Sequence, residues 1–116
     1  MRAIIIVLAA CLIGPAAWAH AFLERGSPGV GSEVQRAPAQ LSLTFTEPVE
    51  PLFSSVAVTD QSGKRVDQGK PGAGQEKRTL VVKLQALPPG VYVVTWHVTS
   101  VDTHKTEGHF QFTVKP

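Results

Sequence analysis

The chain has 116 residues, with 11 lysines and arginines against 9 aspartates and glutamates. That near-balance of charge argues against nucleic acid or an acidic membrane surface as the main partner. A single cysteine, Cys11, and a single methionine, Met1, exclude a disulfide-stapled scaffold, so a hydrophobic core has to hold the fold.

Met1-Arg2 is a short basic start, and Ala3 to Ile13 is an unbroken apolar run ended by Gly14-Pro15. The run falls short of the about 20 residues that span a bilayer and matches a secretory leader. Ala17-Trp18-Ala19 reads as a small-x-small cleavage site. Residues 1–19 are therefore expected to be a signal peptide, and residues 20–116 a single exported, soluble domain. Leu8-Ala9-Ala10-Cys11 also looks like a lipoprotein processing box. Cleavage there would leave the apolar stretch from Leu12 to Ala19 on the product, so the cut after Ala19 is preferred. Met1 and Cys11 then leave with the leader. His20 becomes the first residue, with a free α-amino group beside its imidazole.

Beyond His20, Ala21-Phe22-Leu23 reads as a short first strand closed by Gly26-Ser27-Pro28-Gly29. Leu41 to Thr46 alternates apolar and polar residues, the mark of a half-buried strand with Leu41, Leu43 and Phe45 inward. Glu47-Pro48 ends it, since proline cannot donate to a central ladder. Ser55 to Thr59 predicts a third strand, turning at Asp60-Gln61-Ser62-Gly63. The glycine-rich segment from Gly69 to Lys77 reads as a loop with no packing role. Thr79 to Leu84 alternates again, and Leu87-Pro88-Pro89-Gly90 is a strong turn. The longest strand, Val91 to Ser100, follows, and His109 to Val114 is the last. In these strands Trp96 takes a core position, while His97 and His109 point outward. No segment shows helical spacing, and strands recur about every 10 residues. The expected fold is all-β, a Greek-key β-sandwich or barrel of about seven strands, cupredoxin-like or immunoglobulin-like.

Ser100-Val101-Asp102-Thr103-His104 carries the chemistry. In extended backbone Asp102 and His104 share a face, with Cα atoms about 6–7 Å apart, close enough to share a small ion. A D-x-H triplet alone is a weak signal, and Asp102 could equally cap its turn. An exposed terminal His20 strengthens it. Amine, imidazole and carboxylate form an N,O donor set that suits Cu(II) best.

Several pieces together resemble the CopC family of periplasmic copper-resistance proteins. They are His20 after the A-W-A site, Ser27-Pro28, L-S-L-T-F-T-E-P-V at 41–49, L-P-P-G-V-Y-V-V-T-W at 87–96, S-V-D-T-H at 100–104 and G-H-F-Q-F-T-V at 108–114. The resemblance implies a cupredoxin-like Greek-key β-barrel and a Cu(II) site made by His20, through amine and imidazole, with Asp102 and His104. It also implies a carboxylate near the copper at Glu47, and an inner-membrane copper permease or another periplasmic copper protein as partner. One departure stands out. Some members bind Cu(I) through a methionine-rich loop, whereas residues 20–116 contain neither methionine nor cysteine, the ligands soft Cu(I) prefers. A Cu(II)-only carrier or buffer, not an enzyme, is the expectation.

Two other classes stay open on the residues. A terminal histidine with a second histidine also describes the copper brace of oxidative polysaccharide-cleaving enzymes. Those resemble larger domains with exposed aromatics, whereas the aromatics here fall mostly at core positions. The other class is an immunoglobulin-like adhesion or assembly module with incidental histidines. No serine elbow or cysteine nucleophile suggests hydrolysis.

Overall fold

The computed structural model describes residues 20–116. The expected signal peptide, residues 1–19, lies outside the described residues. Eight strands form two four-stranded sheets packed face to face. They are β1 (Leu23–Ser27), β2 (Glu33–Val34), β3 (Gln40–Phe45), β4 (Ser55–Thr59), β5 (Asp67–Ala73), β6 (Thr79–Leu84), β7 (Gly90–Thr99) and β8 (Lys105–Val114). One sheet has the order β1-β3-β6-β5 and the other β2-β8-β7-β4. All neighbours are antiparallel except the short parallel pair of β2 with β8. The chain passes between sheets after β1, β2, β3, β4 and β6, so that β3 pairs with β6 and β4 with β7 across intervening strands. That is the Greek-key sandwich expected from the spacing of the strands. No helix among the described residues is long and apolar enough to cross a membrane.

The alternating strands bury the residues their pattern predicts. Leu41, Leu43 and Phe45 of β3, Leu80 and Val82 of β6, and Val94, Trp96 and Val98 of β7 are all buried. Phe45 meets the Trp96 ring edge-on at 5.2 Å between centroids, a favoured aromatic geometry. The Trp96 indole N–H is buried with no hydrogen-bond partner among the described residues, so packing alone holds this side chain.

Four segments differ from expectation, and each lacks the alternation that betrays a strand. β5 occupies Asp67–Ala73, where a loop without packing role was expected over residues 69–77. Its buried positions are Asp67 and Pro71, and a register shift between Gln68 and Gly72 interrupts its ladder with β6. Proline is tolerated there because β5 is an edge strand. β8 begins at Lys105, ahead of the expected His109, because its first inward positions are Thr106 and Gly108 and carry no apolar side chain. β1 runs over Leu23–Ser27, through residues expected to close it, with an irregularity between Leu23 and Arg25 that shifts its phase. β2, with only two residues, leaves no pattern to read.

Asp67 joins the two sheets at the β4–β5 edge. Its Oδ1 accepts the Val58 N–H at 2.8 Å and the Arg65 Nε–H at 2.7 Å, while Oδ2 accepts from Arg65 Nη2 at 2.7 Å. Burial alone would raise the Asp67 pKa; the Arg65 guanidinium and the Val58 N–H outweigh it and hold the carboxyl below the usual range. This anchor therefore stabilises the fold above the ordinary carboxylate range and weakens as pH falls through the lowered value.

Every residue from Gly90 to Thr99 is paired with one from Val114 back to Lys105. Within this ladder Trp96 lies opposite Gly108, and the indole fills the space a side chain would take. A Cβ at Gly108 would stand 2.5 Å from Trp96 Cζ2. Gly108→Ala is expected to displace the indole and cost about 1–3 kcal/mol. Thermal unfolding should show this as a fall in Tm of roughly 4–8 °C per kcal/mol. An unchanged Tm would mean the ring is free to move.

Candidate metal centre

The β7–β8 connection is built around Ser100, which is fully buried. Its N–H donates to the His104 carbonyl at 2.9 Å, and its carbonyl accepts the Thr103 N–H at 2.8 Å. The Ser100 hydroxyl accepts the His104 N–H at 3.2 Å and donates to Asp102 Oδ1. Thr103, at the tip, has φ of 71°, a left-handed conformation that costs a β-branched residue. The bonds around Ser100 hold it there. In this turn Asp102 and His104 are about half exposed, with His104 Nδ1 at 3.4 Å from Asp102 Oδ2. The hydrogen bond from Ser100 holds the Asp102 carboxyl below the usual carboxylate range; slight desolvation opposes it, and His104 adds to it.

His20 arrives from the other direction. The segment 20–22 crosses between the sheets and is held by a threonine from each. Thr46, just after β3, donates its hydroxyl to the His20 carbonyl at 3.2 Å and accepts the Phe22 N–H at 3.0 Å. The Thr106 hydroxyl of β8 donates to the Ala21 carbonyl at 2.6 Å. Ala21 is buried between them. This clamp sets the His20 ring edge-on to the His104 ring, with 4.7 Å between centroids. Two histidines 84 positions apart in sequence thus meet at one end of the sandwich, and Asp102 stands beside the second.

Glu47 lies on the same rim without joining the cluster. The segment after β3 runs antiparallel to the end of β7, with Val49 bridged to Ser100 and the Val101 N–H bonded to the Pro48 carbonyl at 3.1 Å. That pairing brings the segment that follows Glu47 alongside the start of the turn. Yet the Glu47 carboxylate makes no hydrogen bond or ion pair among the described residues. Nor do any three His, Cys, Asp or Glu side chains there form a group that could hold an ion by themselves. The arrangement is two imidazoles in contact and one carboxylate on the second of them. An amine at His20 would add a fourth donor to these three side chains.

His97 and His109 face outward on β7 and β8, as their phase predicts, and Trp96 faces the core. An apolar groove beside the cluster went unread in the sequence. Phe22, Leu52 and Phe53 line it together with Thr99, Lys105 and Thr106, enclosing about 850 Å³. These three side chains are 56%, 85% and 72% exposed. Phe22 and Phe53 are the exceptions among the aromatics of the described residues, the other five being buried as expected. The 3-10 turn Pro51–Phe53 holds Leu52 and Phe53 outward, tied to β7 by the Thr99 hydroxyl donating to the Phe53 carbonyl at 3.0 Å.

A two-sheet Greek-key sandwich with a histidine pair at one end, one of them beside a carboxylate, defines a class of small all-β proteins. Residues 23–115 match the CopC domain, and the chain belongs to that family. It is 37% identical to "Protein YobA" of Escherichia coli K12 over 99% of this chain and 94% of that protein. The fold is also similar to the crystal structure of CopC from Methylosinus trichosporium OB3b. There the TM-score is 0.78 and the identity 37%, over 84% of this chain and 95% of that one. PcoC, described as a methionine-rich copper resistance protein from Escherichia coli, matches with a TM-score of 0.76 and 33% identity, over 84% of this chain and all of PcoC. Membership implies copper binding, and these relatives are described as copper-resistance proteins or carry no activity in their names; none is named as an enzyme. In contrast to PcoC's description, residues 20–116 of this chain contain no methionine.

The turn makes its own prediction. Ser100→Ala removes the hydrogen bond that most lowers the Asp102 pKa, so that pKa is expected to rise towards the ordinary value. A carboxyl titration by NMR measures this directly. Because the lowered value favours the fold above the carboxylate range, part of the stability lost on acidification should disappear in the variant. An Asp102 titration unchanged by the substitution would show that Ser100 does not set its charge.

Proposed function

We propose that the chain is an exported periplasmic protein that holds Cu(II) and buffers it or delivers it to another copper protein. The contact between His20 and His104 carries the reading: the fold brings the first residue after the leader's cleavage site to the D-x-H turn. Once residues 1–19 are removed, the α-amino nitrogen and imidazole of His20 can close one chelate ring. His104 and Asp102 complete an N,O set, with Glu47 available on the rim. That set favours Cu(II), which stands at the top of the divalent affinity series. With no thioether or thiol in residues 20–116, Cu(I) has no soft ligand to take.

Asp102 has a second use in this reading. Its Oδ2 faces His104 Nδ1, and a carboxylate on that nitrogen orients an imidazole so that Nε2 is presented to a metal. The apolar groove of Phe22, Leu52 and Phe53 adjoins the cluster and gives a copper acceptor, such as a membrane permease, a place to dock. Exposed apolar surface of this kind marks interaction sites.

Three chains test the terminal chelate: one starting at His20, one with a single glycine before His20, and one with His20→Ala. The extended chain keeps every side chain, but its nitrogen at residue 20 is a peptide amide whose lone pair is lost to resonance. Its Cu(II) affinity should fall nearly as far as that of His20→Ala. Free Cu(II) at a hundred times its dissociation constant should stabilise the native-start chain by about 2.7 kcal/mol. Asp102→Ala or His104→Ala should remove most of that increment. Binding releases protons, so affinity should weaken as pH falls. Equal affinity for the native and extended chains would sink the terminal-chelate mechanism, and zinc outcompeting copper at equal concentration would sink the choice of metal.

A further inference from the structure

The outer face of the β2-β8-β7-β4 sheet carries a second group of metal-ligating side chains, beginning three residues along β7 and β8 from the turn. His97 of β7 is paired with Glu107 of β8, and Thr95 with His109. Glu107 and His109 are two apart on one strand and so share a face, and His109 is the diagonal neighbour of His97. In antiparallel sheets such diagonal Cα atoms lie about 7–8 Å apart, within reach of long side chains. His97 Nε2 already stands 3.0 Å from Glu107 Oε1. A depression of about 120 Å³ lies among Thr95, His97, Glu107, Gly108 and His109.

We infer that His97, Glu107 and His109 form a second cation site, for a divalent transition ion such as Zn(II) that takes two imidazoles and a carboxylate. A cross-strand ion pair would account for His97 and Glu107 alone. It does not account for the second imidazole at the diagonal position beside an open depression. The three side chains do not form a ready-made group, since none exists among the described residues. His109 closes the triangle by a side-chain rotation, and exposed side chains change rotamer in picoseconds to nanoseconds. Two imidazole nitrogens and one carboxylate oxygen, with solvent in the remaining position, make the open tetrahedral set of Zn(II). The ion enters between His97 Nε2 and Glu107 Oε1, so uptake requires the imidazoles to be neutral and weakens at acid pH.

The inference does not depend on the turn binding copper, and its test removes that site first. Zn(II) is titrated calorimetrically into chain carrying His104→Ala, with the histidine ring protons followed by NMR. About one equivalent of Zn(II) should bind, shifting the His97 and His109 rings together. Adding His109→Ala or His97→Ala to this background should weaken binding about tenfold or more, that is by about 1.4 kcal/mol or more. All three residues are exposed, so circular dichroism should report an intact fold in each variant. No Zn(II) uptake by the His104→Ala chain, or uptake that survives His109→Ala undiminished, overturns the site.

Discussion

The register between β7 and β8 is the constraint on which the rest of this structure depends. A slip of β8 by one residue would exchange its faces, burying Glu107 and His109 and exposing Phe110 and Phe112. The pairing of Trp96 with Gly108 guards against this, because Gly108 is the residue of β8 that leaves room for the indole. Core packing, the turn around Ser100 and the outer-face pairing of His97 with Glu107 all follow from that one alignment. Where the ladder ends, the strands are joined by five residues, Ser100 to His104. Asp102 and His104 therefore stand at the end of the sandwich and not along its side.

The second constraint is the clamp on residues 20–22. Thr46 follows β3 of one sheet and Thr106 belongs to β8 of the other, and both hydroxyls bind main chain of this segment. Ala21 is buried between them, so the segment is fixed by backbone bonds and a small side chain, leaving the His20 ring to face His104. Asp102 and His104 are thus exposed and His20 half-buried, while the groups that position them, Ser100 and Ala21, are buried. Under the proposed function this division suits a cargo ion. Copper can enter and leave through solvent-facing donors without the core opening.

Beside the same end lie Phe22, Leu52 and Phe53, side chains whose exposure the core does not require. Leu52 and Phe53 are held by backbone and hydroxyl bonds of the 3-10 turn to β7. Phe22 follows directly from the clamped segment, and its ring lies 6.0 Å from that of His20. The apolar groove and the histidine pair are therefore positioned by the same backbone contacts. A partner docked on one is brought to the other.

Much of this protein was legible in its residues. Alternation marked β3, β4, β6 and β7, because strands with one buried face must alternate. Together with turn spacing that sufficed for an all-β sandwich. The D-x-H turn and His20 were legible as donor chemistry, and their order among neighbouring motifs as a family resemblance. Strands whose inward positions are Thr106, Gly108, Asp67 or Pro71 gave no such signal, since there a hydroxyl, a gap, an ion pair or an edge proline replaces an apolar side chain. Glu47 was legible as a carboxylate but not as one that stands on the rim without joining the cluster. Exposure of Phe22 and Phe53 was equally hidden, because an aromatic ring looks the same in sequence whether buried or not. Local sequence dictates which residues alternate and which donors exist. Only the packing of two sheets decides which distant donors meet, because that depends on register and on main-chain bonds between residues far apart in the chain.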